Sequence, residues 1–197
     1  DYFPADRFRR TVEDQSYEKF YSQIRIKDLL SMSSGIHWEE KSDYNPQTST
    51  FMPMLYGPGQ AFSNMLPYAL GQPMERFGPG KRWNYSGGNS LMLMKILQMI
   101  AQKKAKLAKN ESEKTGILNF PRYLLFDKIG ISRKAFFEND GQGIPVGNSY
   151  SYMTIDDMLR VGYLYLQKGQ WNGEQILSPQ WIAQTQQVTD GLQHLDE

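Results

Sequence analysis

The residue best placed to do chemistry is Tyr85. It stands in Pro79-Gly80-Lys81-Arg82-Trp83-Asn84-Tyr85-Ser86-Gly87-Gly88-Asn89, where a proline-glycine turn leads through a short aromatic stretch into a Ser/Gly turn. A long segment with an apolar stripe follows directly, so the tyrosine backbone is held by a rigid element while small neighbours leave room for a ligand. A phenol titrates near pH ~10 and is a poor base unless cations stabilise the phenolate. Given such a cation, it can carry a proton to and from a serine or a leaving group. A tyrosine packed into a helix-entry turn has the same local sequence, and this stretch alone does not separate the two.

Five other sites bear on chemistry. Asn148 lies in a glycine-rich loop over 138–149, where its amide can stabilise its own turn; a substrate role for it comes only from the resemblance given below. Trp38 follows a Ser-Gly turn and either lines a cleft or packs inside, and Ser86 is the polar neighbour of Tyr85. Ser16-Tyr17-Glu18-Lys19 matches Ser-x-x-Lys, in which one helical turn brings the amine to the hydroxyl. It sits among Glu13, Asp14 and Glu18, a solvated setting that would not depress a lysine pKa, and is read as a decoy. Lys114-Thr115-Gly116 is read as a helix end with Gly116 as its stop.

Composition excludes several classes. There is no cysteine, so disulfides, thiolate catalysis and cysteine-held metal fall away. The two histidines, His37 and His194, make no His-x-x-x-His pair, and His37 is read as an exposed loop residue. Gly78-Pro79-Gly80-Lys81 lacks phosphate-loop spacing. No metal or cofactor is implied. The formal net charge of +1 gives no electrostatic reason to expect nucleic acid, and no apolar run of transmembrane length occurs.

The elements that would position these residues are mostly helical. Alternation over Ile24–Met32 runs into a short helix at Ile26–Leu30, and 36–60 reads as one long loop. Ala61–Met74 is a helix interrupted by Pro67. The clearest helix is Ser90–Ala108, with Leu91, Met94, Leu97 and Ile100 on one stripe. Phe120–Ile129 starts at Pro121, Thr154 caps a helix running to Lys168, and Ser178-Pro179 opens the last helix, to about Gln187. Little strand is expected. At 197 residues the chain is one domain or a large piece of one, and Asp1-Tyr2-Phe3-Pro4 is neither a methionine start nor a signal peptide. A single partial domain over 1–197 is therefore expected.

Four blocks in order carry a resemblance. They are Ile26-Lys27-Asp28-Leu29-Leu30 through Ser34-Gly35-Ile36, Tyr85-Ser86-Gly87-Gly88-Asn89, Thr154-Ile155-Asp156-Asp157 through Arg160 and Gly162, and Gly169-Gln170-Trp171-Asn172-Gly173 through Leu177 to Trp181. Together they resemble the serine β-lactamase and penicillin-binding-protein superfamily, on the side of 6-aminohexanoate-dimer hydrolases and β-lactamase-fold esterases. The resemblance implies a mainly α fold, the helical lobe of that architecture, with the α/β sandwich largely missing.

It also implies a serine hydrolase of the parent protein, forming an acyl-enzyme on an ester, amide or β-lactam carbonyl. Tyr85 would be catalytic, and Asn148, Trp38 and Ser86 would meet substrate. The family's Ser-x-x-Lys helix belongs upstream of the first block, so the chain alone should be inactive. β-Lactamases of this kind carry asparagine two residues after the tyrosine, where this chain has Gly87, and this favours esters and amides. The alternative is a non-catalytic ligand-binding or scaffold relative. The resemblance implies a bacterial, exported protein. A missing sandwich should also leave an apolar face through which copies associate, with Phe51–Leu66 as a candidate.

Overall fold

A computed structural model describes residues 18–40, 49–56 and 65–188. Among these the chain is mainly α. A 3₁₀ turn, Glu18–Gln23, leads into α1 (Ile26–Leu30), followed by α2 (Phe51–Tyr56), α3 (Met65–Leu70), α4 (Gly87–Ala105) and α5 (Glu111–Leu118). A π-helical turn, Arg122–Phe126, precedes β1 (Phe136–Phe137) and β2 (Ser151–Tyr152). Then come α6 (Ile155–Leu166), β3 (Gln170–Trp171), β4 (Glu174–Gln175) and α7 (Pro179–Thr185). β1 pairs antiparallel with β2, and β3 with β4.

By contact density the described residues fall into two compact units. The first runs to Ile96 and takes in Glu138–Tyr150, and the second is Leu97–Phe137 with Ser151–Val188. The first buries Trp38, Met54, Met65, Leu91, Met92, Ile144 and Val146. An isolated bridge joins Ile36 to Met74. The second unit packs Phe126, Ile129, Ile131, Ala135 and Leu164, with Val161, Trp171 and Leu177 around them.

Several elements depart from the sequence reading, each for a physical reason. No strand forms over Ile24–Met32. Asp28 accepts from the Arg25 backbone N–H at 2.8 Å and so caps α1 instead. The long loop contains α2, because Met54 and Leu55 bury a face. Pro67 sits one turn into α3, where its missing N–H costs no helical bond; residues 61–64 lie outside the described residues. α4 starts three residues earlier than the apolar stripe indicates, because Ser86 caps it.

Over Arg122–Phe126 the backbone takes π geometry, with the Asp127 N–H bonding the Arg122 carbonyl at 3.1 Å. The Arg122 guanidinium reaches the carbonyls of Ile131, Ser132 and Ala135, which fixes the turn against the following loop. Gly116 is not a helix stop. It lies inside α5, and a Cβ there would sit 2.9 Å from the Tyr123 ring, so glycine lets that ring lie on the helix. α5 ends at Asn119. Thr154 and Asp157 form a capping box at the head of α6, and Ser178 caps α7 with Pro179 at its first position, as read. α6 ends at Leu166, and Lys168 and Gly169 then take positive φ.

Candidate functional site

The turn before α4 is pinned from several sides. Asn84 donates its backbone N–H to the Met32 carbonyl and its side-chain amide to the Trp38 carbonyl, both at 2.7 Å. Ser86 is buried, and its hydroxyl accepts the Asn89 N–H at 3.3 Å, satisfying one of the free donors in the first turn of α4. Asn89 is buried and accepts from the Ser34 hydroxyl at 2.8 Å. The Ser34-Gly35 block and the Tyr85-Ser86-Gly87 block, 55 residues apart by this bond, therefore meet. Gly35 is required at its place. Its φ is +75°, and a Cβ would come within 2.8 Å of the Gly78 backbone.

Between these two anchors Tyr85 is left outside. It is 54% exposed, with the Trp83 ring centroid 6.4 Å away. The nearest cation in sequence with a defined aromatic contact, Arg82, lies over Phe77 at 5.3 Å.

Trp38 is 1% exposed, and its indole N–H donates to Glu40 Oε1 at 2.7 Å. The same oxygen accepts the Gly87 N–H at 2.8 Å, placing a carboxylate at the positive end of the α4 dipole. The Trp38 ring lies under Gly88, where a Cβ would be 2.8 Å from a ring carbon. Trp38 is thus a floor beneath the head of α4. Ser86 serves as the cap of that helix, whereas Tyr85 is open to solvent.

Asn148 lies at the same place. Gly87 lacks a Cβ that would stand 2.7 Å from Asn148 Nδ2 and 2.5 Å from Glu40 Oε1. The loop that carries Asn148 is shaped by Asp140, whose Oδ1 accepts the N–H groups of Gln142 and Ile144, both at 2.9 Å. Both polar atoms of the Asn148 side chain are buried with no hydrogen-bond partner, as is the Ser149 hydroxyl. Buried amide groups are nearly always paired, since an unmet donor or acceptor costs about 1–3 kcal/mol.

The roles of Glu40 at the head of α4 and of Asn89 as acceptor for Ser34 are not readable from the sequence. Each has a deciding partner remote in the chain, Gly87 at 47 residues from Glu40 and Ser34 at 55 from Asn89, and no spacing signals it. His37 is also not free. Its Nδ1 lies 2.5 Å from Glu75 Oε1, and the ring is only partly exposed. Ser16 lies outside the described residues, and Lys19 is exposed. Lys114 pairs with Glu111 on the surface of α5, at 3.0 Å. Among the described residues, no cluster of His, Asp and Glu could hold a metal ion, and no helix is long and apolar enough to cross a membrane.

No protein-family model matches the chain, and no curated protein matches it.

Proposed function

We propose that this chain is the helical part of a serine hydrolase that works through an acyl-enzyme, with Tyr85 moving the proton. The observation that carries the reading is the head of α4. An exposed phenol stands on backbone pinned by Asn84, Ser86 and Asn89, and the buried, unpartnered amide of Asn148 lies against Gly87, two residues after the tyrosine. A rigidly held proton carrier on the same turn as a buried amide with unmet hydrogen-bonding groups suits the handling of a carbonyl substrate.

A serine and a lysine outside these 197 residues would supply the nucleophile and the cation that the phenol needs. Backbone N–H groups would hold the oxyanion. Ester and amide substrates fit better than β-lactams, because Gly87 leaves a glycine where β-lactamases of this kind carry asparagine.

The test is Tyr85→Phe in the protein that carries a Ser-x-x-Lys helix upstream of this chain. The exchange removes one exposed hydroxyl, so the melting temperature should hold. Hydrolysis of a p-nitrophenyl ester should fall ~10²–10⁴-fold in kcat, the usual contribution of general acid–base assistance. Unchanged turnover would remove Tyr85 from the mechanism. Efficient penicillin hydrolysis by the unsubstituted protein would overturn the substrate preference and leave the proton-carrier role standing.

A further inference from the structure

The second unit holds an open groove of about 280 Å³ that Tyr85 does not line, with Leu97, Tyr123, Leu124 and Lys104 exposed along it. Leu97, Ile100 and Ala101 of α4 form one wall, Phe120, Tyr123 and Leu124 the other, and Lys104 stands among them. At roughly 30 Å³ per water-sized group the space takes on the order of ten heavy atoms, the lower end of small-ligand sites.

Two features make it more than a crevice. The wall carrying Tyr123 and Leu124 is the π-helical turn, a rare backbone form that recurs at functional sites. Gly116 lets the Tyr123 ring settle against α5. The second feature is charge. Lys104 has no carboxylate partner among the described residues. The acids of the neighbouring α5 are already engaged, Glu111 by Lys114 at 3.0 Å and Glu113 by the Lys109 N–H at 2.8 Å. Lys103 and Lys104 in the last turn of α4 outweigh the partial negative charge of that helix end.

An apolar slot with one unpaired ammonium fits an aliphatic chain ending in an anion. We propose that this groove binds a straight-chain carboxylate of about eight carbons, with Lys104 holding the head group and Leu97, Ile100 and Leu124 the chain. The carboxylate is either a free fatty acid or the acid released from an ester.

Octanoate and octanol, titrated separately into the 197-residue chain and followed by ligand-observed NMR and tyrosine fluorescence, test this. Octanoate should bind saturably at one site, and more tightly than octanol. Lys104→Met keeps the stem and removes the charge, so octanoate affinity should fall about tenfold or more while octanol affinity holds, as for a lost hydrogen bond to a charged group. Leu124→Gln, at an exposed position, should weaken both ligands while the far-ultraviolet spectrum is kept. Absence of saturable octanoate binding overturns the proposal, as does equal binding of the two ligands or indifference to Lys104→Met. So does a groove closed by a second copy, seen as a dimer that Leu124→Gln dissociates and octanoate does not.

Discussion

Two glycines in helices predict opposite outcomes for one substitution. Gly162 lies within α6, and a Cβ there meets nothing within 4 Å. Gly162→Ala should therefore gain the ordinary helix propensity difference, about 0.8–1 kcal/mol. Gly87 also lies in a helix, but its Cβ would press on Glu40 and Asn148, and overpacking costs about 1–3 kcal/mol. Gly87→Ala should lower the chemical-denaturation midpoint where Gly162→Ala raises it, and the same sign for both would contradict the packing at the head of α4. Asn148 adds a second contrast. Replacing an unpaired buried amide with the similar-sized apolar Leu should leave stability unchanged or raise it by ~1 kcal/mol. Under the proposed hydrolase function it should raise KM for the ester, a trade expected where a site is kept at the expense of stability. An Asn148→Leu protein that is clearly destabilised would mean the amide has an undetected partner. At this scale the sequence shows residue types but not partners. The Ser/Gly turn around Tyr85 is visible in the string because small residues and a following apolar stripe are local. Glu40, which unites Trp38 with the α4 dipole, is invisible because its contact with Gly87, 47 residues on, is made only by folding.

Local rules explain much of two of the four sequence blocks. In Thr154-Ile155-Asp156-Asp157, the threonine hydroxyl accepts the Asp157 N–H at 3.1 Å, and the Asp157 carboxylate reaches back to the Thr154 N–H at 3.2 Å. In Gly169-Gln170-Trp171-Asn172-Gly173, Asn172 and Gly173 take positive φ of 47° and 83°, as a two-residue hairpin turn requires. These blocks carry folding instructions, which is why the Thr154 and Ser178 helix starts are legible; the β3–β4 hairpin is not among the elements read from the sequence, although Asn172-Gly173 is its local signal. The π turn was not legible, because it depends on Arg122 finding three carbonyls downstream. Asp157 also tells how this element responds to acid. It accepts the Ser132 N–H at 2.7 Å, which with the Thr154 bonds and nearby Arg160 holds its carboxyl below the ordinary value of 3.8 against the opposing effect of burial. A carboxyl depressed in the folded state binds fewer protons there than in the unfolded chain. Its stabilisation is therefore complete above the unfolded value and lost as pH falls through the lower folded one. The melting temperature of Asp157→Asn should thus be lower than that of the unsubstituted chain at neutral pH, with the gap narrowing below pH ~4. A gap that is constant with pH would mean that the carboxylate charge contributes nothing.

For the molecule as a whole, the fate of its exposed apolar surface follows from burial. The stretch Phe51–Leu66 was expected to lie open. Instead Met54, Leu55, Met65 and Leu66 are buried in the first unit and Tyr56 is exposed, while residues 57–64 lie outside the described residues. The open apolar face lies on α6. Asp157 and Leu164 turn into the second unit, while Ile155, Met158, Leu159, Tyr163 and Leu166 face solvent, Ile155 at 78% and Leu166 at 74% exposure. A helix apolar on both sides is a helix built to be covered on both sides. Scattered apolar residues on a surface need no explanation, but a contiguous helical stripe marks an interaction face. Gly162 lies within that stripe with open space around it, so a second helix can approach the backbone closely. Without another cover, the chain is expected to associate with itself through this face, weakly, because one short helix contributes little area against the ~1,200 Å² of a stable interface. Sedimentation velocity over a concentration series should show reversible self-association of the unsubstituted chain. Leu159→Glu with Leu166→Lys should render it monomeric with an unchanged circular dichroism spectrum, since both side chains contact solvent rather than core. A chain that stays monomeric at the highest concentrations would show that the α6 stripe does not draw copies together, and unchanged association in the double variant would place the contact elsewhere.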